Sequence, residues 1–240
     1  MTISKNNLYI LEIIVNSFKN IFEPNVFKWI LWTIFFTLIA LGCLSYGIFS
    51  IIKSFISVDI PFIGGYIDNF LIYSSIFAII WGSTILFVPL STIIFSLFQE
   101  NIIKNVEMKY YPASFKELDT KTTTFLIAGF KLLGWTIIIH VFLFPLAIFY
   151  GGAFWWAPLT IIINGYLLSK EYFEAVGLRR FGFSEVKTIK NKLLFPCWFY
   201  GLVSAILFLI PIINLFIPAI LTLCMLHLFN RNLESGPKPD

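Results

Sequence analysis

Four long stretches without a single Asp, Glu, Lys or Arg constrain this chain more than any other feature: residues 29–52, 70–98, 132–169 and 193–229. Nearly all the charge is gathered in the short polar segments between them. The composition says why no soluble core can absorb these runs: 58% of the 240 residues are hydrophobic and 12% are charged. A soluble domain carries about twice that charged fraction. The chain is therefore an all-α integral membrane protein by its sequence.

The first two runs have the length of ordinary crossings. Trp29 to Ile52 spans 24 residues, which reaches ~36 Å as a helix against a hydrocarbon core of ~30 Å. Trp29 and Trp32 at its start suit an interfacial belt. A loop with Pro61, Gly64 and Gly65 follows. Phe70 to Phe98 is the second crossing, with a kink expected at Pro89. Before them, residues 3–22 place Leu8, Leu11, Ile14, Val15, Phe18 and Phe22 at helical spacing, so an amphipathic helix on the membrane surface is expected. Glu23-Pro24-Asn25 breaks it. After the second crossing the helix is expected to continue into water until Tyr110-Tyr111-Pro112 ends it.

The other two runs are interrupted. Residues 132–169 contain Pro145, Gly151, Gly152 and Pro158, and residues 193–229 contain Pro211, Asn214 and Pro218. In the last run, the limb from Leu194 to Ile210 measures ~25 Å and the return limb from Ala219 to Phe229 only ~17 Å. The second is too short to span unless it recruits Asn230 and Arg231. Two closely spaced prolines also free backbone carbonyls that lipid does not satisfy. Two broken helical hairpins that partly penetrate the membrane are thus expected, with six plain, proline-kinked crossings as the competing arrangement. Successive interrupted segments point to a transport pathway, and Pro211, Asn214 and Pro218 are its candidates.

Orientation follows from charge. Sixteen of the seventeen Lys and Arg fall in residues 1–28, 99–131, 170–192 and 230–240, all on one face in either arrangement, and Lys53 alone lies on the other. The positive-inside rule then makes both termini cytoplasmic. Residues 1–230 read as one membrane domain and 231–240 as a short polar tail.

Nothing in the sequence composes a catalytic constellation or a cofactor site, so no enzyme is expected. Cys43, Cys197 and Cys224 are far apart within apolar segments, without metal-ligand or disulfide spacing. His140 and His227 are ionisable groups in apolar surroundings and raise a functional candidate, with an interhelical hydrogen bond as the plainer alternative. The most basic segment, Lys170 to Lys192, offers a Lys170–Glu174 helical pair, a break at Gly177 and Gly182, and an N-cap at Ser184 before "EVKTIKNK". Its Arg179-Arg180 could present two guanidinium groups to an oxyanion or to anionic lipid. A solvated helix-turn-helix accounts for the same charges.

The segments "NGYLLSKEYFEAVGLRR" and "LIPIINLFIPAILTLCMLHLFNR" resemble the CysZ-type sulfate transporter family, also called the etoposide-induced 2.4 family, in the branch found in alphaproteobacteria. "NIIKNVEMKYYP" and "IFEPNVFKWILW" are similar to further family motifs. Glu107, Glu171 and Glu174 belong to the polar positions of that pattern. The resemblance implies an inner-membrane protein with two long crossings, partly penetrating hairpins and a homo-oligomeric state, moving sulfate or a related small inorganic anion. It also implies an anion-binding turn of the form Pro-Gly-hydrophobic-Arg-Arg before the first crossing. Here that turn reads Pro24-Asn25-Val26-Phe27-Lys28, so Asn25 and Lys28 hold the position and Lys28 is its remaining cation. A non-transporting scaffold whose basic loops bind lipid or a partner protein is the alternative. Membrane lipids are expected partners, and nucleic acid is not.

Overall fold

The computed structural model describes residues 3–55, 72–73, 90–112, 130, 134–135, 138, 153–210 and 213–235, and the regular structure among them is entirely helical. The elements are α1 (Ile3–Ile21), α2 (Pro24–Phe55), α3 (residues 90–110), α4 (Ala153–Gly177), α5 (Phe183–Lys192), α6 (Leu194–Leu207), a 3-10 turn (Ile213–Leu215) and α7 (Ile217–Ser235). The loop after α2, most of the second crossing with Pro89, and Pro145, Gly151, Gly152, His140 and Pro211 lie outside the described residues.

α1 carries three faces. Ile10, Ile13, Ser17, Asn20 and Ile21 are buried, Glu12, Asn16 and Lys19 are exposed polar residues, and Leu11, Val15, Phe18 and Phe22 form an exposed apolar stripe. The bare stripe is what an amphipathic surface helix needs, while the buried face packs on α7. Pro24 then occupies the first position of α2, where its missing N–H breaks no helical bond. Glu23 O instead accepts from the N–H groups of Val26 and Phe27, at 2.9 and 2.8 Å. The apolar stripe crosses this elbow through Phe22 stacked on Phe27.

α2 is the one described helix long and apolar enough to cross a membrane, over the 28 residues Pro24–Ile51. Only 6% of its most apolar window is buried. A core helix of a soluble protein would be mostly covered, and this one is not. Its inner side is a narrow stripe, Val26, Ile30, Thr33 and Thr37, all buried and spaced for one helical face. Both hydroxyls on it are spent locally: Thr33 donates to Trp29 O at 3.0 Å and Thr37 to Thr33 O at 2.7 Å. Trp29 and Phe36 flank the stripe and stack on Phe98 of α3.

α7 is the hub. Every residue from Leu221 to Asn230 is buried, as expected of a helix apolar on all sides. α1, α4 and α6 pack around it, and Phe229 meets Phe173 and Phe181 edge to face. It does not stop at Phe229 but runs on through Asn230 and Arg231 to Ser235, giving 19 residues instead of the short return limb. The continuation into polar sequence is held by Asn230, bonded to Leu226 O, and by Arg231, paired with Glu12 of α1. α6, by contrast, has 14 residues, or ~21 Å, short of the ~30 Å core.

α4 and α6 pack at backbone distance. A Cβ on Gly165 would lie 2.8 Å from Leu202 Cα, and one on Gly201 would fall on Gly165 O. Ser169 and Ser204 continue this small-residue seam, the device by which apolar helices approach closely without a hydrophobic drive between them. Pro158 was expected among the interruptions, yet it lies inside α4 near its start. Its missing N–H forfeits the bond to the carbonyl of residue 154, within the first turns of the helix.

Candidate functional site

The polar side chains of the bundle converge where α3, the turn after α4, and α7 meet. Glu100 and Glu107 are seven residues apart, two turns along one face of α3. α4 ends at Gly177, which cannot bear a side chain: a Cβ there would sit 2.8 Å from Val186 and 3.2 Å from Phe229. The chain therefore turns tightly, with the N–H groups of Arg180 and Phe181 both donating to Gly177 O at 3.0 Å. This turn aims Arg179 and Arg180 at the two carboxylates.

Arg179 is a fork on two acids. Its Nε and Nη2 donate to Glu100 Oε2 and Oε1 at 2.9 and 2.6 Å, and Nη1 donates to Glu107 Oε2 at 2.7 Å. Arg180 Nη2 donates to the other oxygen of Glu107 at 2.7 Å, and its Nη1 to Asn230 Oδ1 at 3.0 Å. The side chains of Arg179 and Glu107 are each 2% exposed, so this is a buried ionic bracket. Burial works against the Arg179 cation, but the hydrogen bonds and charges of Glu100 and Glu107 outweigh it and raise its pKa. For Arg180 burial prevails over Glu107, Arg179 adds its repulsion, and the pKa falls. Two guanidinium groups face two carboxylates, so the bracket is neutral as a unit. Arg180 Nε is buried without an acceptor among the described residues.

A second polar group lies beside the elbow, off the apolar window of α2. His227 Nε2 meets Asn20 Nδ2 at 2.9 Å and its Nδ1 meets Tyr111 Oη at 2.6 Å. The imidazole thus bridges α1 and the end of α3. Glu23 accepts from Tyr110 Oη and pairs with Lys109 Nζ at 3.0 Å. The two Tyr at the end of α3 thus fasten that helix to the α1–α2 elbow and to α7.

Among the candidates from sequence, the structure gathers Glu107, Arg179 and Arg180 in the bracket and places His227 in the neighbouring group. Asn25 and Lys28 are exposed at the start of α2. Lys28 lines a groove of about 530 Å³ with Pro24, Phe27, Leu31, Trp32 and Phe35, and its Nζ is 5.8 Å from the Trp29 ring centroid. Glu171 and Glu174 are half-buried on α4. Asn214 is buried in the 3-10 turn between α6 and α7, and its Oδ1 has no hydrogen-bond partner among the described residues. Pro218 is in the first turn of α7; its carbonyl accepts from Thr222 Oγ1, which in turn accepts from Gln99. The N-cap of α5 is Gly182 rather than Ser184, with Glu185 reaching back to the Gly182 N–H at 3.0 Å. Glu100, Asn20, Tyr111 and Asn230 were not anticipated. The seven-residue spacing of Glu100 and Glu107 was the available signal.

A long apolar helix with little of its surface buried, a glycine seam between α4 and α6 and a neutral buried ionic bracket belong to an all-helical protein with one membrane-span candidate among the described residues. The chain belongs to the family described as Sulfate transporter CysZ/Etoposide-induced protein 2.4, whose model matches residues 13–218. That match takes in α1 from Ile13, the elbow, the bracket's arginines and acids, and the hairpin up to Pro218. No individual curated protein matches the chain. The family is one of membrane transporters, not of enzymes.

Proposed function

We propose that this protein is an inner-membrane transporter or channel for sulfate or a related small inorganic anion, with both termini in the cytoplasm. The observation that carries the reading is the family match across residues 13–218. The geometry agrees with it in three respects. α2 offers a lipid-exposed crossing. α6 is too short to cross alone and is followed by a turn holding Asn214, whose buried side-chain carbonyl lacks a partner among the described residues. A buried carbonyl of that kind needs water or a polar solute beside it, as in a pathway lined by broken helices.

In this reading Lys28, with Asn25, recruits the anion at the elbow, where the groove opens and no carboxylate neutralises the ammonium among the described residues of its lining. Arg179 and Arg180 act from behind, holding α3 to the hairpin, since Glu100, Glu107 and Asn230 engage their donors. A homo-oligomer would cover the exposed apolar side chains Leu209 and Ile210 after α6. Radiolabelled sulfate uptake into reconstituted vesicles tests the reading. Wild-type protein should admit sulfate and Lys28→Gln should admit less at low concentration; equal uptake by the two would remove Lys28 from the pathway.

A further inference from the structure

A second basic group stands apart from the bracket. Tyr166, Lys170 and Glu174 recur every four residues on one face of α4. α5 presents Val186 and Lys190, also four apart, as its buried residues. Lys190 is 7% exposed, and its Nζ lies 5.3 Å from the Tyr166 ring centroid. Among the described residues neither Lys190 nor Lys170 has a carboxylate within ion-pair distance. Among the described residues Glu174 is the carboxylate that acts on Lys190, and Lys170 opposes it.

This arrangement differs from the arginine bracket in its charge balance. There, two cations meet two carboxylates in direct contact. Here, among the described residues, the two ammonium groups have no carboxylate in ion-pair contact, and Glu174 acts on Lys190 from farther off. A buried ammonium is costly to leave without an anionic partner, and a ring face replaces only part of its hydration shell. Burial pushes the Lys190 pKa down, with Glu174 pulling the other way and Lys170 adding to the fall. Tyr166 is half exposed, so the group is open on one side. Lysine suits tetrahedral oxyanions as a point charge, without the planar register that a guanidinium imposes.

We propose that Lys190, with Lys170 and Tyr166, forms a binding station for a tetrahedral oxyanion, a phosphate or sulfate group, at the α4–α5 face. The same chemistry is supplied by free inorganic anion or by the phosphodiester of an anionic lipid headgroup. The station is independent of the elbow groove at Lys28 and stands whether or not the chain conducts sulfate.

The test uses the full chain in lipid nanodiscs and reads lysine acetylation by peptide mass spectrometry. Exposed Lys187 and Lys192 on the same helix serve as references. In discs of phosphatidylcholine, added phosphate or sulfate should slow modification of Lys190 several-fold and leave the references unchanged; this result assigns the site to free anion. If protection appears only in discs containing phosphatidylglycerol, the headgroup is the ligand and the proposal also holds. Thermal shifts supply the second measurement. The stabilisation by phosphate, sulfate or phosphatidylglycerol should be kept in Lys190→Arg and lost in Lys190→Met, and reduced in Lys170→Gln. If Lys190→Met keeps the full shift, or if no condition protects Lys190 and none stabilises the wild type, the proposal is overturned.

Discussion

Glu107 is the residue on which the bracket turns, and replacing it by Gln isolates the charge with little change of shape. In the native bundle its two oxygens accept from Arg179 and Arg180, each at 2.7 Å, and its side chain is 2% exposed. The amide removes the negative charge and one acceptor, leaving two buried guanidinium groups against Glu100 alone. Breaking a buried pair in this way costs about 3–5 kcal/mol. For a chain of this size each kcal/mol moves the midpoint by ~2–4 °C, so a fall of roughly 6–20 °C is expected. Thermal unfolding of the purified protein in detergent measures it. Glu12→Gln is the matched control, because its pair with Arg231 is about half exposed on both sides. Such a pair contributes ~0–1 kcal/mol. The double variant Glu107→Gln, Arg180→Gln should be less destabilised than the sum of its parts, since it removes one of the stranded cations. Equal midpoints for Glu107→Gln and Glu12→Gln would refute the bracket as a structural element.

Three further outcomes follow from the geometry. Gly201→Val should open the α4–α6 seam by placing a branched side chain on the Gly165 carbonyl, costing at least ~1–3 kcal/mol by overpacking; Gly47→Ala, with nothing within 4 Å, should be neutral or stabilising by up to ~1 kcal/mol, and protease susceptibility at the hairpin separates the two. His227→Phe should remove the hydrogen bonds to Asn20 and Tyr111, costing ~1–3 kcal/mol in chemical unfolding. Leu226→Ala in the wholly buried part of α7 should cost ~2–5 kcal/mol, measured by chemical unfolding.

The first helices were legible in the sequence because their signals are local. An uncharged run of spanning length, tryptophans at its start and a proline at its first helical position together mark α2 and the elbow before it. α1 was legible as amphipathic, but its split into a lipid-type stripe and a buried face was not, because the residues buried on α7 are themselves mostly apolar. The arginine pair shows the limit more sharply. Two adjacent cations in a basic segment read either as an anion-site candidate or as part of a solvated helix-turn-helix, and the nearby acids in sequence are not the ones that engage them. Their carboxylates come from α3, more than seventy residues earlier, and only the packing of α3 on the turn after α4 brings them together. Similarly, α7 looked like a short return limb because the count stopped at the first polar residue. Tertiary contacts to Asn230 and Arg231 carry the helix past that point.

The central claim is that this chain lets a small inorganic anion cross a membrane, and sulfate flux into reconstituted vesicles measures it most directly. Vesicles containing the wild-type protein should accumulate radiolabelled sulfate faster than protein-free vesicles, with excess unlabelled sulfate competing. Uptake indistinguishable from that of protein-free vesicles, for sulfate and for a panel of related oxyanions, would contradict the account.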